Sequence, residues 1–317
     1  HARLGKAICG DSFAGFYEAN AERAATVERE LGIKAFPSIS TLLDATDAVS
    51  IVVPTKAHFA VAREAIAAGK HVLIEKPITA TLDEADELLA LAERTGVIVQ
   101  IGHIERFNRA IRAAAPYIDG PLFLDSDRLA PFNPRGADVA VVLDLMIHDI
   151  DLLLSLVGSK VRDVSAAGIP VLTPSVDIAN ARIAFENGAV ATITASRVSR
   201  DRMRKLRIFQ RNGYLSLDLG AGTGELFRMK PGLDLASLAK AAQPLEAFVE
   251  RVALEAPEGE PLRLEIENFV NALRGVGTVK VTGQDGRDAL AVALRIVHDI
   301  ERALPGVAAL RGGAPCA

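Results

Sequence analysis

Short apolar runs alternate with amphipathic segments over the first part of the chain. The apolar runs predict strands at 12–17, 49–53, 71–75 and 97–101. Helices are predicted between them, at 21–31, 56–68 and 82–95. Each of these helices is followed by a glycine, and Thr81 with Glu84 forms a capping box before the last one. Apolar strands separated by helices are typical of a parallel sheet that is covered on both faces.

Alternating apolar and polar residues dominate after residue 158. Two pairs of alternating runs, 178–185 with 189–198 and 203–210 with 214–219, are each joined by Asn-Gly, the best short-range signal of a β-hairpin. Helices are predicted at 236–256, 262–274 and 285–303, and the last ten residues are expected to fray.

The predicted fold class is α/β, with two domains. Residues 1–120 are predicted to form a Rossmann-like parallel-sheet domain. Residues 121–317 are predicted to form an α+β domain with a large, open, mainly antiparallel sheet. The C-terminal helices of this second domain are candidates to pack back on the first domain.

Composition places the 317-residue chain among ordinary globular proteins, because 50% of its residues are apolar and 24% are charged. A net charge of −4 leaves no basic surface for nucleic acid or an anionic membrane. Two cysteines, Cys9 and Cys316, form no disulfide framework, which predicts a cytoplasmic location. No transmembrane helix and no secretory leader are expected.

A lysine, Lys76, ends the predicted strand 71–75 and lies between Glu75 and Pro77. Open α/β sheets bind ligands at the carboxyl ends of their strands, so the ammonium group is expected in a cleft. The alternative is an ordinary surface loop. Pro54-Thr55 ends the preceding strand, where it either lines a cofactor groove or forms a plain turn.

A helix predicted at 143–157 carries three aspartates and a histidine among apolar residues. Asp144, His148 and Asp151 are spaced i, i+4, i+7 and therefore share one face of a regular helix, whereas Asp149 points elsewhere. A carboxylate one turn before a histidine can accept its N–H and raise its basicity. The alternatives are a surface pair and a helix-capping cluster.

Glu18 follows the first predicted strand and precedes a helix. An acid at this position hydrogen-bonds the ribose hydroxyls of NAD and repels the 2′-phosphate of NADP; the alternative is an exposed residue before a helix. The phosphate-binding Gly-x-Gly-x-x-Gly is expected about twenty residues earlier. The chain starts too late to contain it, so we expect the first strand and the glycine loop to be missing.

Three other patterns favour structural roles. A glycine-rich run at 215–224 is similar to the S-adenosylmethionine loop of methyltransferases, but no helix and acid-ended strand follow it. The basic run at 202–207 is most simply a solvated strand edge, with diphosphate binding as the alternative. No metal site is predicted, because Asp144 and His148 have no third ligand nearby.

Three motifs together resemble the glucose–fructose oxidoreductase/inositol dehydrogenase family of NAD(P)-dependent oxidoreductases, over nearly the whole chain. They are Gly-Lys-His-Val-Leu-Ile-Glu-Lys-Pro at 69–77, Asp-x-x-x-His-x-x-Asp at 144–151, and Val-Thr-Gly-Gln-Asp-Gly at 281–286. Within the family, the segments 102–108, 144–151 and 176–182 are most similar to UDP-N-acetylglucosamine 3-dehydrogenase-like members. One departure is Met146, where many relatives have glycine.

The resemblance implies an NAD-dependent enzyme that oxidises a sugar hydroxyl to a ketone, on a sugar nucleotide such as UDP-N-acetylglucosamine at its 3-position. In that reading His148 takes the hydroxyl proton, Lys76 stabilises the developing alkoxide, and Asp144 orients the sugar and the histidine. The implied cofactor contacts are Glu18, Pro54, Thr55, Glu75, Lys76 and Pro77. The implied substrate contacts are Arg106, Asn108, Asp144 and His148.

The resemblance also implies assembly into a homo-dimer or homo-tetramer through the open sheet. Two alternatives to the sugar-nucleotide reading remain. One is a polyol or free-sugar dehydrogenase of the same family, and the other is a non-catalytic binding protein or an inactive fragment on the same scaffold.

Overall fold

The computed structural model describes residues 1–134, 139–230 and 248–303. They form two compact units. Unit 1 comprises residues 1–107 and 259–290, and unit 2 comprises residues 108–258 together with the chain from 291 onward. Within the described ranges, none of the helices has both the length and the apolar character needed to cross a membrane.

Unit 1 is built on a parallel sheet. The sheet contains, in spatial order, β1 (Ala48–Ile51), β2 (His71–Glu75) and β3 (Val99–Gly102). Around it lie α1 (Ala2–Cys9), α2 (Ala21–Leu31), α3 (Ile39–Asp44), α4 (Thr55–Ala67), α5 (Leu82–Thr95) and α8 (Pro261–Leu273). Because α4 joins β1 to β2 and α5 joins β2 to β3, each crossover is a βαβ unit, as the alternating pattern predicts.

The helix boundaries in unit 1 follow the predicted capping residues. Asn20 accepts a hydrogen bond from the Arg23 N–H at the start of α2, and Gly32 ends that helix at φ 61°. Thr81 and Glu84 form the reciprocal capping box of α5. These caps satisfy backbone groups that have no partner inside the helix.

The apolar run at 12–17 is not the strand that its composition predicts. Only Phe16 pairs, in a single parallel bridge with Ala35. Gly15 has a φ of 148°, and a Cβ atom built on it would lie 2.3 Å from the Lys34 carbonyl oxygen. A side chain at Gly15 would therefore clash with the neighbouring backbone, and Glu18 follows a single bridge rather than a strand.

The motif at 281–286 caps and packs the last helix described, α9 (Gly283–Ala303). The Thr282 N–H and hydroxyl both donate to Asp285 Oδ2, at 2.7 and 2.6 Å. A Cβ atom on Gly286 would lie 2.6 Å from the side chain of Ile101, which is fully buried on β3. The glycine therefore allows the start of α9 to lie directly against the sheet.

Unit 2 contains a mainly antiparallel sheet, which has eight strands among the described residues. Its spatial order is β11-β10-β9-β8-β4-β7-β6-β5, and β4 pairs with β7 in parallel. The strands are β4 (Phe123–Leu129), β5 (Val161–Ile169), β6 (Ile178–Phe185), β7 (Val190–Ser196), β8 (Met203–Gln210), β9 (Gly213–Asp218), β10 (Thr223–Met229) and β11 (Val249–Leu254). Unit 2 also contains α6 (Arg109–Ala114) and α7 (Ile147–Val157).

Both predicted hairpins are present. β6 pairs with β7 through a turn that contains Gly188 at φ 91°. β8 pairs with β9 through Arg211-Asn212, and Gly213 is the first residue of β9. The glycine-rich run at 215–224 covers the end of β9, the β9–β10 turn and the start of β10, and Asp218 Oδ1 accepts the N–H groups of Gly220 and Ala221 in the turn. It is therefore part of an antiparallel meander, and its role is structural, as predicted.

Two predictions about the strands of unit 2 are wrong. The helix at 236–256 is contradicted at its end, because Val249–Leu254 is β11, an edge strand paired with β10. Its cross-strand pairs Arg228–Glu250 and Arg251–Glu225 favour that pairing over a helix. The basic run at 202–207 is solvated, as predicted, since Arg202, Lys205 and Arg207 are exposed, but it is not at a sheet edge, because β8 lies between β9 and β4. Residues 236–247 and the last ten residues lie outside the described ranges.

Candidate active site

Five of the six residues expected to contact a cofactor lie at one edge of the unit 1 sheet. Pro54 follows β1 and is the N-cap of α4, whose first residue is Thr55. Glu75 is the last residue of β2 and leads into the cis-linked pair Lys76–Pro77. Because β1 and β2 are adjacent and parallel, both segments lie at the carboxyl ends of the strands, where sheets of this kind bind dinucleotides.

The Glu75 carboxylate holds the backbone at Lys76. Its Oε2 accepts the Lys76 N–H at 3.1 Å, and its Oε1 lies 2.9 Å from His1 Nε2. On the neighbouring strand β3, a Cβ atom at Gly102 would lie only 3.0 Å from Glu75 Oε2. A glycine at this position therefore leaves room for the carboxylate.

His58 is a residue of this edge that the sequence did not single out. It is 1% exposed. Its Nδ1 lies 2.7 Å from the carbonyl oxygen of Pro77 and its Nε2 lies 2.9 Å from that of Val53. The imidazole thus links the segment after β1 to the segment after β2, next to Lys76. A single histidine in an amphipathic helix gives no sign of its contact with Pro77, which lies 19 residues further along the chain.

Glu18 lies in the turn that precedes α2, where its carboxylate is engaged locally. Oε1 accepts the Asn20 N–H at 3.1 Å, and Oε2 lies 3.4 Å from Arg23 Nε. The Glu18 side chain is 31% exposed, so these local contacts do not enclose it.

The two candidate substrate contacts after β3 differ in their surroundings. Arg106 is buried in a 3₁₀ turn of unit 1, and its guanidinium lies 3.5 Å from Asp285 Oδ1. Asn108 belongs to unit 2, where its amide donates to the Leu219 carbonyl at 2.8 Å and its oxygen accepts the Ala110 N–H at 2.9 Å. Asn108 thus caps α6, and a contact of either residue with substrate stays a prediction.

The segment with Asp144 and His148 is not the regular helix that the spacing predicts. Val142–Met146 forms a π-helical turn, and α7 begins only at Ile147. The wider turn changes the angular offset between Asp144 and His148 relative to an α-helical i, i+4 pair. Both side chains are half-buried, whereas Asp151 is fully buried. Their roles in a reaction stay predictions.

Asp149 anchors this helix to the sheet of unit 2. Its carboxylate accepts two hydrogen bonds from the Arg128 guanidinium, at 2.5 and 3.2 Å, and one from the Ser126 hydroxyl at 2.9 Å. Asp149 and Arg128 are only 1% and 4% exposed. Asp149 therefore points into the protein towards β4, and this fixes α7 beside His148. The sequence shows Asp149 on a separate face but gives no sign that Arg128 is its partner.

Both units match known protein families. Residues 3–103 match the oxidoreductase family with an NAD-binding Rossmann fold, GFO/IDH/MocA. Residues 101–216 match the GFO/IDH/MocA C-terminal domain.

Similar proteins extend this match along the chain. The UDP-N-acetylglucosamine 3-dehydrogenase of Acidithiobacillus ferrooxidans is 41% identical over 302 residues, which cover 95% of this chain and 93% of that protein. A scyllo-inositol 2-dehydrogenase (NAD(+)) of Bacillus subtilis is 33% identical over 61% of this chain and 60% of its own length.

Solved structures show the same fold. A structure of UDP-N-acetylglucosamine 3-dehydrogenase from Acidithiobacillus ferrooxidans superimposes with a TM-score of 0.85 at 39% identity, covering 95% of this chain and 93% of that chain. Levoglucosan dehydrogenase, in complex with NADH and levoglucosan, has a TM-score of 0.79 at 18% identity and covers 95% and 94% of the two chains. At this lower identity the likeness concerns the fold alone.

Proposed function

Since this chain belongs to the GFO/IDH/MocA family of NAD-binding oxidoreductases, we propose that it oxidises a hydroxyl group of a sugar nucleotide to a ketone. The proposed substrate is UDP-N-acetylglucosamine and the proposed position is its 3-hydroxyl. The observation that carries this proposal is the 41% identity to a UDP-N-acetylglucosamine 3-dehydrogenase over 95% of the chain. We assign the reaction to the cytoplasm, because the two cysteines form no disulfide framework.

The proposed cofactor is NAD, which when bound supplies the nicotinamide carbon that accepts a hydride. Glu18 and the groups at the carboxyl edge of the unit 1 sheet suit such a ligand. The Glu18 carboxylate can accept hydrogen bonds from ribose hydroxyls and would repel a 2′-phosphate, which favours NAD over NADP. The remaining proposed contacts follow β1 and β2, and they are Pro54, Thr55, Glu75, Lys76 and Pro77.

In the proposed reaction one C–H bond and one O–H bond of the substrate are broken. The hydride leaves the sugar carbon for the cofactor, and His148 takes the hydroxyl proton on a ring nitrogen as general base. Lys76 donates a hydrogen bond to the oxygen and stabilises the negative charge that develops on it. Asp144 orients the sugar and His148, and Arg106 and Asn108 are the further proposed substrate contacts. The products are a ketone and reduced cofactor.

Two substitutions test these roles in the whole protein. Lys76→Ala and His148→Ala are each expected to abolish NADH formation from UDP-N-acetylglucosamine, while NAD+ binding by calorimetry is retained in His148→Ala. Lys160→Ala and His298→Ala serve as matched controls, since both residues are exposed, and both variants should turn over normally. Near-normal activity in Lys76→Ala or His148→Ala would overturn the mechanism.

A second candidate function is oxidation of a polyol or a free sugar. It is favoured by the 33% identity to the scyllo-inositol 2-dehydrogenase, although that likeness covers only 61% of the chain. Rates with UDP-N-acetylglucosamine, myo-inositol and glucose under identical conditions separate the two. A higher kcat/KM for myo-inositol or glucose would replace the first proposal by the second. No turnover with any of them would favour the non-catalytic alternative.

We also propose that the open face of the unit 2 sheet joins copies of this chain. Phe123, Phe209, Tyr214 and Phe227 form a continuous row across it, with ring centroids 5.8, 4.7 and 5.6 Å apart. Phe123 and Phe209 remain 40% and 39% exposed. Side chains of both charges flank the row, and they include the ion pair between Lys205 and Asp218 at 2.8 Å. An apolar row flanked by both charges is complementary to a second copy of itself.

The mass of the particle in solution tests this face. Phe209→Asp places a charge in the middle of the row and should reduce the mass, measured by sedimentation velocity, to that of a single chain. Phe132→Asp is the matched control, because Phe132 is 41% exposed and is not part of the row. An unchanged mass in Phe209→Asp, or a monomeric native protein, would exclude the open face as the interface.

A further inference from the structure

A second buried ion pair, Asp177 with Arg197, joins the loops of unit 2. Asp177 precedes β6, and Arg197 follows β7. Asp177 is fully buried and Arg197 is 4% exposed, and Arg197 Nε donates to Asp177 Oδ1 at 2.7 Å. An unpaired charge at this depth would be strongly unfavourable, so each residue requires the other.

The Asp177 carboxylate also accepts hydrogen bonds from the loop between β5 and β6. Its Oδ2 accepts three successive backbone N–H groups, those of Val171, Leu172 and Thr173, at 2.7, 2.7 and 2.9 Å. Its Oδ1 accepts the Thr173 hydroxyl at 2.8 Å. Burial raises the pKa of Asp177, but these hydrogen bonds and the Arg197 guanidinium outweigh it and hold the pKa below its usual range. The loop is thus fixed around a charged carboxylate.

The same ion pair is connected by hydrogen bonds to the segment that carries Asp144. Arg197 donates a second hydrogen bond to the carbonyl oxygen of Val139 at 2.5 Å. The residue before Asp177, Val176, accepts the backbone N–H of Val141 at 2.9 Å. Val141 immediately precedes the π-helical turn in which Asp144 lies. The start of this segment is therefore held at two points by the elements that the ion pair joins.

We propose that Arg197 and Asp177 are positioning residues for the reaction. They fix the backbone at 139–141, and through it they set the position of Asp144 and His148 relative to the substrate. This inference rests on the proposed function, in which Asp144 and His148 act on the sugar. Asp149 holds the same segment from within α7, so the two ion pairs fix it at its start and along its helix.

Arg197→Lys tests the positioning role without removing the charge. Lysine keeps a cation beside Asp177 but lacks the planar fork that reaches Asp177, Val139 and Thr173 at once. A misplacement near 1 Å in a catalytic constellation lowers the rate by about 100-fold, and kcat should fall by that order. The Kd for NAD+ should not change, because the proposed cofactor contacts belong to unit 1.

The matched control is Arg295→Lys. Arg295 pairs with Asp163 at 3.1 Å on the exposed surface of unit 2, and its variant should keep the native kcat. Should Arg197→Lys fail to fold, as judged by circular dichroism, Thr173→Val takes its place. That substitution removes the hydroxyl that contacts both Asp177 and Arg197, and it should lower kcat less while leaving NAD+ binding unchanged.

A double-mutant cycle with Asp144→Asn separates positioning from general stabilisation. If Arg197 acts through Asp144, its substitution should lower kcat much less in the Asp144→Asn background than in the native protein. Additive losses, or an unchanged kcat in the single variant, would overturn the positioning role and leave the proposed function intact. An unchanged kcat in Asp144→Asn alone would instead overturn the role proposed for Asp144, and this inference with it.

Discussion

Removal of the Asp149 carboxylate should destabilise unit 2 strongly. The side chains of Asp149 and Arg128 are 2% and 5% exposed, and the Ser126 hydroxyl donates to the same carboxylate. In Asp149→Ala the guanidinium would remain buried without its counter-charge. Breaking a buried pair in this way lowers the free energy of unfolding by about 3–5 kcal/mol.

Urea unfolding followed by circular dichroism measures this loss. With an m-value of about 2 kcal/mol per molar, the midpoint should fall by about 1.5–2.5 M. Glu250→Ala is the control, because Glu250 forms an ion pair with Arg228 on the exposed strands β10 and β11, and its midpoint should hardly move. The double substitution Asp149→Leu with Arg128→Met should recover part of the loss, since it leaves no charge behind.

Two comparisons of urea midpoints test the role of the buried pair. If Asp149→Ala lowers the midpoint no more than Glu250→Ala does, the buried pair does not anchor α7. If the double substitution is less stable than Asp149→Ala, the loss does not come from an uncompensated charge on Arg128.

Three further predictions concern the other groups described above. The pKa of Asp177 is lowered in the folded state, so its contribution to stability is fully present above the unfolded pKa of about 3.9 and is lost as the pH falls below that value. The difference in urea midpoint between the native protein and Asp177→Asn should therefore become smaller between pH 6 and pH 3. A difference that does not change with pH would contradict this. Glu18→Ser should raise the ratio of kcat/KM for NADP+ to kcat/KM for NAD+ by about tenfold, which corresponds to the loss of one hydrogen bond to a charged group. An unchanged ratio would show that Glu18 does not contact the cofactor. Gly102→Ala places a methyl group 3.0 Å from the Glu75 carboxylate and should lower the free energy of unfolding by about 1–3 kcal/mol. The same change should weaken NAD+ binding, measured by calorimetry. Binding with native affinity would show that the position of Glu75 does not matter for the cofactor.

Elements whose determinants are local could be predicted from the sequence. The capping box at Thr81 and the αL glycines Gly32 and Gly96 define helix ends through hydrogen bonds within a few residues. The hairpins at Asn187-Gly188 and Asn212-Gly213 follow from turn chemistry in the same way. Lys76 could be placed at a strand end because the apolar run before it is unambiguous.

Features that depend on distant partners could not be predicted. Val249–Leu254 forms a strand because β10 offers it a complementary edge, and no pattern within 249–254 specifies that partner. The π-helical turn at Val142–Met146 departs from the regular period on which the common face of Asp144 and His148 was predicted. The partners of Asp149 and Asp177 are arginines more than 19 residues away, Arg128 on β4 and Arg197 just after β7, and no pattern in the sequence marks either arginine as the partner of an aspartate.

The position of β4 in the unit 2 sheet bears on the order in which that sheet folds. β5, β6 and β7 are neighbours in both sequence and space, as are β8, β9 and β10, so their pairings close short loops. β4 lies between the two groups, and its residue Phe123 pairs with Val190 and Phe209. Contacts of such long range form slowly, because their loop-closure entropy must be overcome first. During synthesis β4 therefore emerges before either partner strand, and its place between them can be fixed only after β7 and β8 have both been made.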